Sequence, residues 1–164
     1  MNRKCCFTGH RMIREEEKGG ICRRIRETAL AQMESGVDTF LVGGARGFDM
    51  IAAEVLLELR EREGKKLRLV SVLPFPSWRD KWPKEEYSRQ EKILRGSDDI
   101  LFSAETYSRM AYLDRDRRMV DESSVCIAYC THWTGGTAYT VRYALQQGKT
   151  VLNLAVRDGN RAGQ

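Results

Sequence analysis

The sequence predicts an α/β protein in which a largely parallel sheet of about six strands is covered by helices on both faces. Short apolar runs with strand character alternate along the chain with longer segments whose apolar residues recur at helical spacing. Two of the strands lead through glycine-rich turns directly into helices. No repeat or linker divides the 164 residues, so we expect one domain over residues 1–156 and a polar tail over residues 157–164.

The first half of the chain predicts three strands and two helices. The strands are the apolar runs 4–8, 39–42 and 67–73, and the helices are residues 21–35 and 51–60. We place the start of the first helix at about Ile21, because Gly19-Gly20 interrupts the segment before it and glycine disfavours a helix interior. Ser35-Gly36 ends this helix and Gly64 ends the second, since glycine accepts the left-handed conformation that often follows a helix.

The second half predicts three more strands and three helices. The strands are residues 99–102, 125–129 and 150–156, and the helices are residues 84–95, 107–121 and 134–147. Pro74-Phe75-Pro76 ends the third strand, because proline cannot donate to a sheet ladder. Gly148 ends the last helix in the same way as Gly64 ends the second.

Unusual residue clusters follow the predicted strands directly. They are Thr8–Arg11, Gly43–Asp49, Pro74–Trp82, Ser103–Tyr107 and Thr134–Thr137. In a parallel sheet the carboxyl ends of the strands share one edge, and ligands bind there at a reversal of the strand order. The clusters are therefore expected to lie near one another.

Two glycine-rich turns are candidates for binding phosphate. Gly43-Gly44-Ala45-Arg46-Gly47 and Gly135-Gly136-Thr137 each stand before a helix, whose first N–H groups have no partner within the helix. Neither turn has the Gly-Lys-Ser/Thr of a Walker loop or the complete pattern of a dinucleotide fingerprint. A tight turn without a ligand is the alternative for each, and their joint placement favours phosphate.

Several polar side chains in these clusters have two interpretations each. Arg11 and Arg46 follow strand ends and either pair with an anionic ligand or form surface salt bridges. Thr137 either contacts a phosphate oxygen or caps its helix. Asp49 either complements the helix dipole, binds a ribose hydroxyl or polarises a water molecule. His10 is either an acid–base group or a hydrogen-bonded structural histidine, and the structural role is favoured.

Aromatic residues after the third strand are candidates for stacking against a base. Phe75, Trp78 and Trp82 either form such a wall or close one edge of the core. Ser103 follows the fourth strand and is expected at the same edge of the sheet.

The composition indicates an ordinary, slightly basic globular protein. The net charge is +5, and acidic residues are interleaved with the basic ones, which is a weak indication of nucleic-acid binding. No apolar run approaches the roughly 18 residues of a membrane helix, and Met1–Phe7 has no cleavable signal pattern, so we expect a cytoplasmic protein without membrane contact. The five cysteines are expected to be reduced thiols, and we expect no metal site.

Five motifs occur together in a fixed order along nearly the whole chain. They are Cys6-Phe-Thr-Gly-His-Arg11, Gly43-Gly-Ala-Arg-Gly-Phe-Asp49, Pro74-Phe-Pro76 with Trp82, Arg115-Asp-Arg-Arg-Met-Val-Asp121 and Gly135-Gly-Thr-Ala-Tyr-Thr-Val141. As an ordered set they resemble the YpsA-like (DUF1273) proteins of the SLOG superfamily, which also holds the DprA/Smf and lysine-decarboxylase-like LOG proteins. The resemblance implies a single Rossmann-like domain of three layers that binds a nucleotide or nucleotide-derived ligand at the glycine turns.

The LOG enzymes of this superfamily are phosphoribohydrolases, and the resemblance carries only part of their site. Arg115 looks like their arginine, but the glutamate expected in the turn after Gly-Gly-Thr falls at Thr140. Asp116 stands where the family usually has asparagine, and Thr134 where it has proline. Loss of the glutamate removes the group best suited to activate water, so Arg115 and Asp49 are the catalytic candidates only if the protein is an enzyme.

The resemblance and the strand-end clusters together define the expected site. Its ligand-binding residues are Thr8, Gly9, His10, Arg11, Gly43, Gly44, Ala45, Arg46, Gly47, Asp49, Phe75, Trp82, Ser103, Arg115, Gly135, Gly136 and Thr137. The expected ligand is a nucleotide, an NAD derivative or phosphate, with no cofactor required, and the expected role is that of a sensor or regulatory module. The alternatives are a nucleotide N-glycosidase (phosphoribohydrolase) and, less favoured, DNA binding by analogy with DprA. Binding of a protein partner and formation of a homodimer are further possibilities that the sequence leaves open.

Overall fold

In the computed structural model, which describes residues 3–155, six strands alternate with five helices. The strands are β1 (Arg3–Gly9), β2 (Val37–Val42), β3 (Arg68–Leu73), β4 (Asp99–Phe102), β5 (Val125–Tyr129) and β6 (Thr150–Asn153). The helices are α1 (Glu15–Glu34), α2 (Phe48–Glu63), α3 (Lys84–Gly96), α4 (Arg109–Asp121) and α5 (Gly136–Gln146). The predicted alternation of strands and helices is confirmed. The predicted tail, 157–164, lies outside the described residues.

The six strands form one sheet in the order β4-β3-β2-β1-β5-β6, and every neighbouring pair is parallel. The prediction of a largely parallel sheet is therefore confirmed. The chain moves outward from β1 to the edge at β4 and then returns to place β5 on the other side of β1. This reversal between β1 and β5 opens a crevice at the carboxyl ends of the strands, where sheets of this kind bind ligands.

Helices cover both faces of the sheet, as predicted. The larger core joins one face to α1, α2 and α3, and a second cluster joins the opposite face to α4 and α5. Alternate residues of β1 show the division, because Phe7 packs into the first core and Cys6 into the second. The strands near the centre are apolar on both sides, which is typical of a buried parallel sheet.

The first helix begins six residues earlier than predicted, at Glu15 instead of Ile21. Glu15, Glu16 and Glu17 lie in its first turn, where negative charge is favourable beside the positive end of the helix dipole. Gly19-Gly20 is inside the helix, and its backbone is held there by the turns on either side. The apolar face of Ile21, Ile25 and Ala29 is buried as expected.

Other element boundaries also differ from the prediction, by one to three residues. Helix α2 begins at Phe48, directly after the glycine turn. Helix α4 begins at Arg109 instead of residue 107, because the Ser108 hydroxyl caps it by accepting a hydrogen bond from Ala111 N at 3.1 Å. Strand β6 ends at Asn153, whose side chain accepts from Cys130 N and donates to Cys130 O. Among the described helices, none is long and apolar enough to cross a membrane.

Candidate functional site

A cavity of about 860 Å³ opens at the carboxyl edge of the sheet, at the crevice between β1 and β5. The ends of these two strands, the first turn of α2, one face of α4 and the first turn of α5 surround it. Its wall includes Thr8, Gly9, His10, Arg11, Ala45, Asp49, Arg115, Gly135, Gly136 and Thr137, all of which are in the predicted ligand-binding set. The structure therefore brings together residues from four separate parts of the chain.

The remaining predicted site residues lie outside this cavity. Arg46 is held by the Glu86 carboxylate and lies over the ring of Trp82, and both line an adjoining cavity of only about 40 Å³. Phe75 is buried and makes an edge-to-face contact with Tyr112, which itself lines the large cavity. The Ser103 hydroxyl is buried without a hydrogen-bond partner among the described residues, away from the cavity wall.

The first glycine turn, Gly43–Gly47, is closed by contacts within the protein. Its Gly43 N–H donates to Asp49 Oδ2 at 2.8 Å, and Gly43 O accepts from Arg115 Nη1. Phe48 N, at the start of α2, donates to His10 O at 3.1 Å. Both backbone polar groups of Gly43 are therefore used in holding this turn, and phosphate binding by the turn stays a prediction.

Two glycines of this turn are required by close packing. Gly47 has a φ of 76°, and a Cβ there would approach Arg11 O to 2.3 Å. Gly44 has a φ of 72°, and a Cβ there would approach the Leu73 side chain to 2.4 Å. Trp78 Nε1 also donates to Gly44 O at 2.9 Å, so the indole covers this glycine. These contacts fix the turn against β1 and the loop after β3.

The second glycine turn, by contrast, is open to the cavity. A Cβ added at Gly135 or Gly136 would have no neighbouring atom within 4 Å. Tyr139 N donates to Gly135 O at 3.1 Å, so the amides of residues 136–138 precede the first bond within α5. These amides and the positive end of the helix dipole form a ready position for an anion at the wall of the cavity.

A chain of hydrogen bonds joins the two glycine turns. It runs along the part of the cavity wall formed by Asp49, Arg115 and Asp116, which we call the cavity floor. Arg115, whose side chain is only 7% exposed, donates from Nη1 to Gly43 O and from Nε to Asp116 Oδ1 at 2.7 Å. The Thr140 hydroxyl is 3.2 Å from Asp116 Oδ2 and 3.0 Å from Gly136 O, at the second turn. Arg115 is thus engaged by the protein, and a carboxylate stands beside Thr140.

Asp49 lies next to this chain and is almost completely buried. Its Oδ2 accepts from Gly43 N, while its Oδ1 has no hydrogen-bond partner among the described residues. Burial raises the pKa of the Asp49 carboxyl to about 6, although the charge of Arg115 and the Gly43 N–H act in the opposite direction. A carboxyl with this pKa exchanges a proton near neutral pH.

Two histidines stack at another part of the cavity wall. The rings of His10 and His132 are parallel within 3°, with centroids 4.0 Å apart. His10 Nε2 accepts from Thr131 N at 2.8 Å, which requires this nitrogen to be unprotonated. Burial, and next the neighbouring His132 ring, lower the pKa of His10. The structural interpretation of His10 is supported, since it anchors the loop after β5.

The structure adds residues that the sequence did not put in the site. On α4 these are Arg109, Tyr112 and Asp116, which line the cavity together with Arg115. Positions 109, 112, 115 and 116 share one face of a helix, so helical spacing from Arg115 was the signal that could have found them. Arg109 and Arg11 form no salt bridge with any residue in the range 3–155 and are available to an anion.

Within the described part of the chain, no three His, Cys, Asp or Glu side chains come together as a metal ion requires. The polar groups of the cavity are amides, guanidinium groups, hydroxyls, two imidazoles and the carboxylates of Glu17, Asp49 and Asp116. Donors at one side and carboxylates at the floor suit a ligand that carries both an anionic group and hydroxyl groups.

Known proteins are similar to this chain in sequence and in architecture. The model of the YspA SLOG family (YpsA) matches residues 8–154. The chain belongs to the YspA SLOG family. The resemblance drawn from the five ordered motifs is thereby confirmed. A UPF0398 protein of Oceanobacillus iheyensis is 23% identical over 125 residues, which are 74% of this chain and 65% of that relative. The YspA-family chain thus spans a little under two thirds of that curated protein.

Solved structures of DNA processing protein A have the same fold as this YspA-family chain. The protein from Helicobacter pylori superposes with a TM-score of 0.67 at 22% identity, covering 96% of this chain and 67% of that one. The protein from Streptococcus pneumoniae gives a TM-score of 0.66 at 19% identity, covering 92% of this chain and 49% of that one. At these identities the likeness establishes the Rossmann-like fold alone.

Proposed function

We propose that the protein binds a nucleotide or nucleotide-derived ligand in the large cavity, with a phosphate at the open turn Gly135–Thr137. The observation that carries the proposal is the first turn of α5, where Gly135 and Gly136 line a cavity of about 860 Å³ and a Cβ added at either would have no neighbouring atom within 4 Å. This volume lies in the range that small-molecule sites occupy. Arg11 and Arg109 in the same wall add positive charge for the phosphate.

The first glycine turn then acts as a wall of the site. Asp49 and Arg115 hold the N–H and O of Gly43, His10 O holds Phe48 N at the start of α2, and Ala45 and Asp49 line the cavity. One phosphate position, at α5, is therefore favoured over two. This arrangement suits a ligand with a single phosphate group or one end of a longer phosphate chain.

Binding without turnover, as a sensor or regulatory module, is the favoured role. The helix position of the LOG glutamate holds Thr140, whose hydroxyl is directed to Asp116 and Gly136. Arg115, the other group carried over from the hydrolases, is used in the floor network. Neither side chain is left to stabilise charge that develops on a leaving group.

A nucleotide N-glycosidase is the second candidate, and the burial of Asp49 favours it. A carboxyl with a pKa of about 6 in a cavity wall suits proton donation at neutral pH. Arg115 would then hold the neighbouring carboxylates in position. Release of ribose phosphate from nucleoside monophosphates by the purified protein would establish this function and contradict binding without turnover.

DNA binding is less favoured than a small ligand. The Helicobacter pylori structure is described as showing single-stranded DNA binding. In the present chain many basic side chains are paired with carboxylates, including Arg46 with Glu86 and Arg89 with Glu54. A duplex or single strand would meet a surface of mixed charge, which gives little of the salt-dependent attraction that drives such binding.

A thermal-shift screen tests the proposal directly. Ribonucleoside mono- and diphosphates, NAD and ADP-ribose are added to the purified protein, and single-stranded DNA is assayed in parallel by mobility shift. A ligand at 100 times its dissociation constant adds about 2.7 kcal/mol to the free energy of unfolding. Stabilisation by at least one nucleotide supports the proposal. No stabilisation by any of them at millimolar concentration, together with a DNA shift at low salt, would replace it with DNA binding.

A further inference from the structure

The cavity floor has a feature that a phosphate site alone does not explain, namely a pair of carboxylates. Asp49 and Asp116 both line the cavity, and Arg115 pairs with Asp116 while its charge also acts on Asp49. One guanidinium group thus faces two carboxylates, so the floor does not attract a further anion. A phosphate is therefore directed away from the floor, to the amides of α5 and the guanidinium groups of Arg11 and Arg109.

Asp49 lacks one hydrogen bond. Its Oδ1 is buried and has no partner among the described residues, and buried polar atoms of this kind are rare in folded proteins because desolvation without a hydrogen bond is costly. The residue is 4% exposed and lines the cavity wall. A ligand group placed there can supply the missing partner.

Asp116 connects the floor to the phosphate position. Its Oδ2 is 3.2 Å from the Thr140 hydroxyl, and that hydroxyl is 3.0 Å from Gly136 O in the open turn. A phosphate bound at this turn therefore has the group attached to it close to Asp116. In a nucleotide that group is the sugar, and each carboxylate oxygen has a second lone pair with which to accept a hydroxyl.

We propose that Asp49 and Asp116 form a ribose subsite that binds the neighbouring 2′- and 3′-hydroxyls of the sugar and thereby selects ribonucleotides over 2′-deoxyribonucleotides. This inference rests on the proposed nucleotide binding and specifies the class of nucleotide. Hydroxyl groups suit the floor because they can donate to a carboxylate and also accept from a protonated one. A deoxyribose leaves one floor carboxylate without its partner, and such a loss costs roughly tenfold or more in affinity.

Matched pairs of ligands test the subsite without knowledge of the base. Titration calorimetry compares the four ribonucleoside monophosphates with their 2′-deoxy forms on the wild-type protein. The expected result is that at least one ribonucleotide binds about tenfold or more tightly than its 2′-deoxy form. Equal affinity within each pair would overturn the ribose subsite and leave nucleotide binding standing. Failure of all eight compounds to bind would overturn the proposed function and the subsite with it.

Variants then assign the preference to the two residues. Asp49→Asn and Asp116→Asn keep the shape of the side chain, and each is expected to bring the ratio of ribo- to deoxyribonucleotide affinity toward one while changing the deoxyribonucleotide affinity little. Asp114→Asn is the matched control, since Asp114 is an exposed residue of the same helix outside the cavity wall. An unchanged ratio in both floor variants would overturn the assignment. If a variant does not fold, the comparison of ribonucleotides with their 2′-deoxy forms on the wild-type protein still tests the ribose subsite.

Discussion

The hydroxyl of Thr140 lies 3.2 Å from Oδ2 of Asp116, so a carboxylate from α4 stands beside the position on α5 at which the resemblance to the LOG hydrolases implies a glutamate. The Asp116 carboxylate is not equivalent to that glutamate. It already accepts from Arg115 Nε at 2.7 Å and thereby takes part in the link between the two glycine turns. The same residues thus hold the cavity floor and support the proposal of binding without turnover.

Replacement of Arg115 by alanine is expected to destabilise the protein. The substitution removes a buried guanidinium that pairs with Asp116 and acts on the Asp49 charge, and it leaves Gly43 O without its partner. Loss of one partner from a buried charge network typically costs about 3 kcal/mol or more, so urea denaturation should show a decrease of that size in the free energy of unfolding. Arg118→Ala is the control, because this exposed arginine of α4 pairs with Glu122 at the surface and its loss should cost under about 1 kcal/mol. Equal, small effects in both variants would show that Arg115 has no structural role.

The buried Asp49 carboxyl predicts a pH dependence of stability. Its pKa is about 6 in the folded protein and near 3.8 in the unfolded chain, so the folded state binds the proton more tightly. The contribution of Asp49 to the free energy of unfolding is therefore fully present below its unfolded-state pKa. It is lost as the pH rises through the folded-state pKa, by about 3 kcal/mol in total. Asp49→Asn has no proton to lose at this position. Urea denaturation from pH 4 to pH 7 should show the variant gaining stability relative to the wild type, and parallel pH profiles would contradict a raised pKa.

The stacked histidines predict an effect of the opposite sign. Burial and the neighbouring His132 lower the pKa of His10, so its contribution to stability is present at pH values above the ordinary histidine pKa and is lost as the pH falls through the folded value. NMR titration of the His10 ring should give a midpoint below that of an unperturbed histidine, and His132→Ala should raise it. A midpoint that His132→Ala leaves unchanged would mean that the stacked ring has no influence on His10.

The fold could be predicted from the sequence because its signals are local. Apolar runs, helical spacing and strand-end glycines gave the alternation of elements and the edge where their loops meet. Helix α1 starts earlier than its glycines predict, because Glu15–Glu17 lie favourably beside the positive end of the helix dipole and outweigh the low helix propensity of Gly19-Gly20. Strand order follows from no single segment and needed the structure, although parallel pairing was expected.

The candidate site could be predicted only in part, because the availability of a group depends on distant residues. The two glycine turns look alike in sequence, yet Asp49 and Arg115 engage both polar groups of Gly43 in the first, whereas Gly135 and Gly136 of the second have free space around them. Arg46 looks as available as Arg11, but Glu86, 40 residues further along, holds it. The face of α4 that carries Arg109 and Asp116 was visible from helical spacing and is the part that sequence reasoning could have added.

The proposed phosphate position is the open turn at the start of α5, and Gly136→Asp tests phosphate binding there most directly. A Cβ at Gly136 has no neighbour within 4 Å, so the added carboxylate projects into free space beside the amides without displacing protein atoms. Acidic residues are favourable in the first turn of a helix, and the fold should be retained. Gly19→Asp is the matched control, since it adds the same side chain at a position of α1 with equally free surroundings.

The decisive measurement is the affinity of wild type, Gly136→Asp and Gly19→Asp for ribonucleoside monophosphates by titration calorimetry. We expect Gly19→Asp to bind these ligands like the wild type. Gly136→Asp should bind them at least about tenfold more weakly, because a negative charge and a side chain occupy the phosphate position. Wild-type affinity in Gly136→Asp would contradict the proposal that the first turn of α5 binds the phosphate.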